Sequence, residues 1–142
     1  MGRLALTVLA CSAVLVPAAL AASSAPTLTV VGWASTVSKG GLPPRDAVSG
    51  GVYCKRTPFR RLYAFVRFRG MRDKVPSTTT WYFNDKRVFV FKFKWEDGPV
   101  GRTAFNLYPV KGNLEAGRYR VDVRWAGRLV GSGRVQVKFG NC

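Results

Sequence analysis

The sequence has no histidine, and it sets only seven carboxylates against 23 lysines and arginines. Without histidine the usual general base, the usual pH switch near neutrality and the commonest zinc ligand are all missing. The acids are Asp46, Asp73, Asp85, Glu96, Asp97, Glu115 and Asp122, and most fall where turns are expected. Glu96-Asp97, placed before Gly98-Pro99, reads as a loop rather than as an acid/base or metal pair. Cysteine is scarce as well, limited to Cys11, Cys54 and Cys142. Cys54 has no base to activate it as a nucleophile. No phosphate-cradling glycine loop is present: Gly131-Ser132-Gly133 lies inside a strand pattern and reads as a bulge. There is no internal repeat, no low-complexity tract and, past residue 22, no amphipathic helix. The expectation is a non-catalytic protein with no cofactor and no bound metal.

What is there is apolar enough to fold. Of the 142 residues, 47% are hydrophobic and 13% aromatic, which suits one domain and argues against disorder. Residues 1–22 carry one charge, Arg3, then an apolar run from Leu4 to Leu20 and the small residues Ala19, Ala21 and Ala22. That is the three-part pattern of a secretory signal peptide cleaved after Ala21 or Ala22. A transmembrane anchor competes with it, but the run is near the minimum for spanning and contains Pro17. Val8-Leu9-Ala10-Cys11 also looks like a lipobox, in which the cysteine is acylated, though the apolar stretch before it is short. Cleavage near Ala22 leaves Cys54 and Cys142, an even pair that reads as a disulfide in an exported protein. Two free thiols are the alternative.

The exported chain divides into an extension, residues 23–57, and a folded domain, residues 58–142. Within the extension, Thr27 to Ser35 is rich in β-branched residues and suits an edge strand, and Lys39 to Gly51 is a Gly/Pro-rich loop that Cys54 is placed to pin. Strand alternation follows at Leu62–Arg69, Thr78–Phe83, Arg87–Trp95 and Thr103–Tyr108, with Asn84-Asp85 as a hairpin turn. In the Arg87–Trp95 segment, Phe89, Phe91, Phe93 and Trp95 share a face that reads as core. The last hairpin organises the whole. Tyr119, Val121, Val123 and Trp125 alternate with Arg118, Arg120, Asp122 and Arg124. After a reversal at Ala126-Gly127, Val135, Val137 and Phe139 alternate with Arg134, Gln136 and Lys138. About seven antiparallel strands at this spacing predict an all-β sandwich, with a small β-barrel as the alternative.

Leu114-x-x-Gly117-x-Tyr119 resembles the tyrosine corner of immunoglobulin-like and fibronectin type III-like domains, and Trp81 before Asn84-Asp85 resembles their strand C. The likeness spans about Phe59 to Phe139. It implies an immunoglobulin-like β-sandwich of the kind found in bacterial secreted and envelope proteins, where such domains serve as binding or accessory modules. It also implies that the Tyr119 hydroxyl bonds backbone a few residues upstream. One departure is plain: antibody-type domains carry cysteine two residues after the corner tyrosine, and here that residue is Val121.

The candidate binding residues are basic. Arg118, Arg120, Arg124, Arg134 and Lys138 fall on the strand face opposite the apolar one, and Lys92 and Lys94 extend it. Removing Arg3 lowers the formal charge from +16 to +15, well beyond the magnitude of about 2–8 that solubility asks of a small domain. Such a face attracts anionic envelope polymers, acidic proteins or lipid headgroups at a membrane surface. Nucleic acid is a weaker expectation for an exported chain, and a merely solvated face is the competing reading. Tyr63, Phe65, Arg67 and Arg69 form a second candidate, an exposed aromatic–basic patch. The alternative function is a structural module that associates through its sheet edges.

Overall fold

The structure, a computed structural model, describes residues 24–142; the segment read as a signal peptide, with Arg3 and Cys11, lies outside them. The eight strands are β1 (Thr27–Ala34), β2 (Val52–Lys55), β3 (Leu62–Arg69), β4 (Pro76–Phe83), β5 (Lys86–Lys94), β6 (Val100–Leu107), β7 (Gly117–Trp125) and β8 (Arg128–Phe139). They form two separate sheets, ordered β1-β3-β6 and β2-β8-β7-β4-β5. The described residues are therefore all-β, as their alternation predicts, and their two sheets do not close into one barrel.

Both predicted hairpin turns form. Asn84 and Asp85 have φ of 46° and 66°, and Ala126 and Gly127 have 50° and 78°. Positive φ at both central residues is what lets a two-residue turn match strand twist. Two things depart from the expected seven antiparallel strands. The short β2 comes from the segment read as an extension, and it pairs in parallel with β8, Tyr53 opposite Val137. β1 pairs along its length with β3, so this segment supplies strands to both sheets.

The sheets face each other across one core. Trp33 of β1 meets Trp81 of β4 edge-on at 6.0 Å, and Phe68 of β3 meets Trp95, just past β5, at 4.7 Å. Val121, Val123 and Val137 are fully buried among them. The Cys54–Cys142 disulfide forms, with a Cα–Cα distance of 6.1 Å. The Gly/Pro-rich loop is tied back by a Trp33–Val48 backbone bridge and by the Asp46–Lys55 ion pair. That pairing holds the Asp46 carboxyl below its ordinary value and raises the Lys55 ammonium above its own.

The two long sides of this assembly differ. On one, β1 lies directly on β8: a Cβ added at Gly131 would sit 2.4 Å from the Leu28 carbonyl oxygen, and one at Gly133 would sit 2.6 Å from Val30 Cγ2. The expected bulge lies one residue earlier: the register shift between Val123 and Arg124 leaves Val130 of β8 without a partner, next to Gly131, while Gly131 and Gly133 themselves stay in register with Val123 and Val121. They are small because a strand of the other sheet crosses there. The opposite side, between β5 and β6, is open. Phe93 reaches Phe105 at 5.9 Å, but Phe89 and Phe91 are 41% and 52% exposed. Their assignment to the core is corrected for a physical reason: each of these strands ends its sheet, and nothing among the described residues covers the gap.

Candidate functional site

The site is built on the outer face of the five-stranded sheet. Strand alternation buries Tyr119, Val121, Val123 and Trp125 of β7 and turns Arg118, Arg120 and Arg124 outward. Register then decides which cations meet. Arg120 lies directly opposite Arg134 on β8 and opposite Tyr82 on β4, and Tyr82 lies opposite Arg87 on β5. Like charges placed directly opposite in an antiparallel pair destabilise it. Arg118, Arg120 and Arg134 line one concavity of about 310 Å³, together with Asp85, Gly51 and Gln136.

Two of these cations are partly engaged. Arg118 Nη2 donates to Asp85 Oδ2 at 2.9 Å, an exposed pair. The Arg120 guanidinium lies 3.9 Å from the Tyr82 ring centre and 3.4 Å from Asp122 Oδ1, and its buried Nε has no hydrogen-bond acceptor. Asp122 in turn accepts from Ser132 at 2.7 Å. No carboxylate among the described residues lies within ion-pairing distance of Arg124, Arg134 or Lys138. Arg124 stands toward the far end of β7 beside Thr78, and Lys138 toward the end of β8 opposite Cys54, so neither joins the concavity. Lys92 and Lys94 occupy the same outer face on β5, opposite Thr78 and Pro76. Sequence reasoning passed over Tyr82 and Arg87; the spacing of both from the hairpin turn at Asn84-Asp85 was the available signal.

The second candidate does not assemble as expected. Phe65 is buried, with 2% exposure, and Tyr63 stacks on it at 6.2 Å. Ala47 of the long loop and Phe65 both come within 3.8 Å of where a Gly32 Cβ would sit, so the loop side packs over the ring. Arg67 and Arg69 remain exposed, with Arg67 opposite Arg102 on β6. The aromatic part of that patch is therefore core, and only its basic part reaches solvent.

The turn into β7 positions the basic strand. The Tyr119 hydroxyl donates to the Glu115 carbonyl at 2.7 Å. Asn84 Oδ1 accepts from the Arg118 amide at 2.9 Å, and Gly117 leaves the room that the Phe83 ring fills, since a Cβ there would lie 2.3 Å from the ring. Burial pushes the Tyr119 phenol up from 10.0 to about 12, partly offset by the hydrogen bond to Glu115. Folding therefore holds this proton: the contribution is complete below pH 10 and is lost as pH rises to about 12. Ultraviolet titration should show one tyrosine ionising late, near the alkaline unfolding transition. Tyr119→Phe should remove that late step and cost about 1 kcal/mol in urea unfolding.

No family model matches the chain, and no curated protein matches it. Among solved structures it is similar to a Pseudomonas fluorescens alkylpurine DNA glycosylase AlkC bound to DNA containing an abasic site analog, at 13% identity and a TM-score of 0.42. The overlap covers 61% of this chain and 27% of that one. A likeness at that level carries no argument about fold or activity.

Proposed function

We propose that this protein is an exported, non-catalytic binding or accessory module of immunoglobulin-like β-sandwich type. Its outer basic face takes an anionic envelope polymer or an acidic partner protein. The observation that carries this is the Arg120–Arg134 pair, set directly opposite each other and joined by Arg118 around one concavity. A bare surface gains nothing by holding like charges in register, whereas a bound anion turns their repulsion into attraction. Arg124 and Lys138 extend the positive field along the same face. Export is supported by the signal-peptide pattern of residues 1–22 and by the Cys54–Cys142 bond. The immunoglobulin-like assignment is supported by the Tyr119 to Glu115 hydrogen bond.

The test is retention on immobilised heparin and on isolated cell-envelope material. Reversing Arg118, Arg124 and Arg134 together to glutamate should weaken retention at least ~10-fold, because each reversal removes an attraction and adds a repulsion. All three side chains are exposed, so the fold should persist. Equal retention of the variant and the parent would remove the proposal.

A further inference from the structure

The open side of the assembly carries a feature that the basic face does not explain. Among the described residues β5 ends the five-stranded sheet and pairs with β4 alone. Its apolar side chains are exposed on both faces: Val88, Phe89, Val90 and Phe91 are 47%, 41%, 41% and 52% exposed. Phe89 and Phe91 lie opposite Trp81 and Thr79 and look into a cleft of about 290 Å³ walled on the far side by Phe105 of β6 and by Tyr108 just past it. Phe89 and Tyr108 also line an adjoining cavity of about 420 Å³. A strand with an unpaired backbone edge and apolar side chains on both faces is a template for another strand. β5 also carries Lys86, Arg87, Lys92 and Lys94 and no acid.

We propose that the β5 edge accepts an extended segment of a partner protein in which apolar and acidic residues alternate. The segment would add a strand beside β5. Its backbone would meet the unpaired edge, its apolar residues would enter the cleft beside Phe89 and Phe91, and its carboxylates would face Lys92 and Lys94 on the outer side. The charge on β5 selects this occupant. A second copy pairing β5 with β5 would set two cationic strands side by side, which like-charge repulsion opposes. An acyl chain would fill the cleft but leave the edge amides unpaired and Val90 uncovered.

The experiment uses the oxidised, processed protein and a capped eight-residue peptide alternating valine and glutamate, followed by amide hydrogen exchange. The expected result is saturable binding that slows exchange across Phe89–Lys94 at least ~10-fold, with no effect from the matching valine–lysine peptide. Phe91→Ser should weaken binding about fivefold, and Val90→Glu, which sets a like charge against the segment's carboxylates on the outer face, should weaken it as well; both positions are exposed, so neither variant threatens folding. Protection on β7 and β8 instead of β5 would overturn the proposal, since the peptide would then be acting as a polyanion on the basic face. So would β5 protection that appears without peptide alongside a dimer in sedimentation. Dodecanoate binding in the cleft while the peptide leaves β5 amides unprotected would overturn it too, as would no protection by the peptide anywhere.

Discussion

Replacing Gly131 with alanine is expected to cost about 3 kcal/mol of folding stability, the upper end of what overpacking does. A Cβ at this position meets the Leu28 carbonyl oxygen at 2.4 Å, Leu28 Cδ2 at 2.6 Å and the Leu28 carbonyl carbon at 3.0 Å. Two of those atoms are backbone of a strand in the opposite sheet, held in register by β3, so they cannot turn aside as a side chain would. Relief requires β1 to lift from β8, which opens the core around Leu28 and Val30. Gly50→Ala is the matched control: nothing lies within 4 Å of its Cβ position, and its cost should fall within about 0.5 kcal/mol of zero. Urea unfolding of both variants decides the matter. A Gly131→Ala midpoint equal to that of the parent would mean that the two sheets do not close on each other along β1 and β8.

The second large effect is expected from the disulfide. Replacing Cys54 and Cys142 together with serine should cost about 4–5 kcal/mol, the chain-entropy value for a loop of this size, the cysteines being 88 positions apart in sequence. The bond also holds the least self-sufficient strand. β2 has four residues and pairs only with β8, and its register is continued by the Gly140 amide donating to the Lys55 carbonyl at 3.0 Å. Hydrogen exchange should therefore show β2 and the end of β8 opening locally and losing the most protection in the double variant, while β3 and β4 lose only what the fall in global stability takes from them. Uniform acceleration across all strands would instead assign the loss to global stability alone.

Alternation told which side chains share a face, and it did so correctly for β7 and β8, where Tyr119, Val121, Val123, Val135 and Val137 are buried and Arg118, Arg124, Arg134 and Lys138 are exposed. Local turn chemistry likewise placed the reversals at Asn84-Asp85 and Ala126-Gly127. What alternation does not carry is whether anything covers the apolar face. Phe89 and Phe91 have the pattern of core residues, yet they stand on the end strand of their sheet, and no further strand among the described residues covers them. Phe65 lies between exposed-looking neighbours and is covered from the side of residues far off in sequence, around Ala47. Gly131 and Gly133 look like a bulge in isolation, because their reason for being small is Leu28 and Val30, about a hundred positions away. The basic face was legible residue by residue. The opposition of Arg120 to Arg134, and the seat of Arg120 on Tyr82, depend on strand register and order, which no local pattern encodes.

The central claim is that anion binding belongs to the outer face of the five-stranded sheet rather than to the protein's positive charge at large. The most direct measurement is the salt dependence of the binding constant for a defined heparin oligosaccharide, compared between two variants of equal net charge. One reverses Arg118, Arg124 and Arg134; the other reverses Arg67, Arg69 and Arg102 on the outer face of the three-stranded sheet. The account predicts that the first variant loses affinity and that its plot of log K against log salt flattens by about 2–3 units, while the second keeps a slope close to the parent's. Equal losses in both variants would contradict it, leaving the arginines as a diffuse positive coat with no binding face.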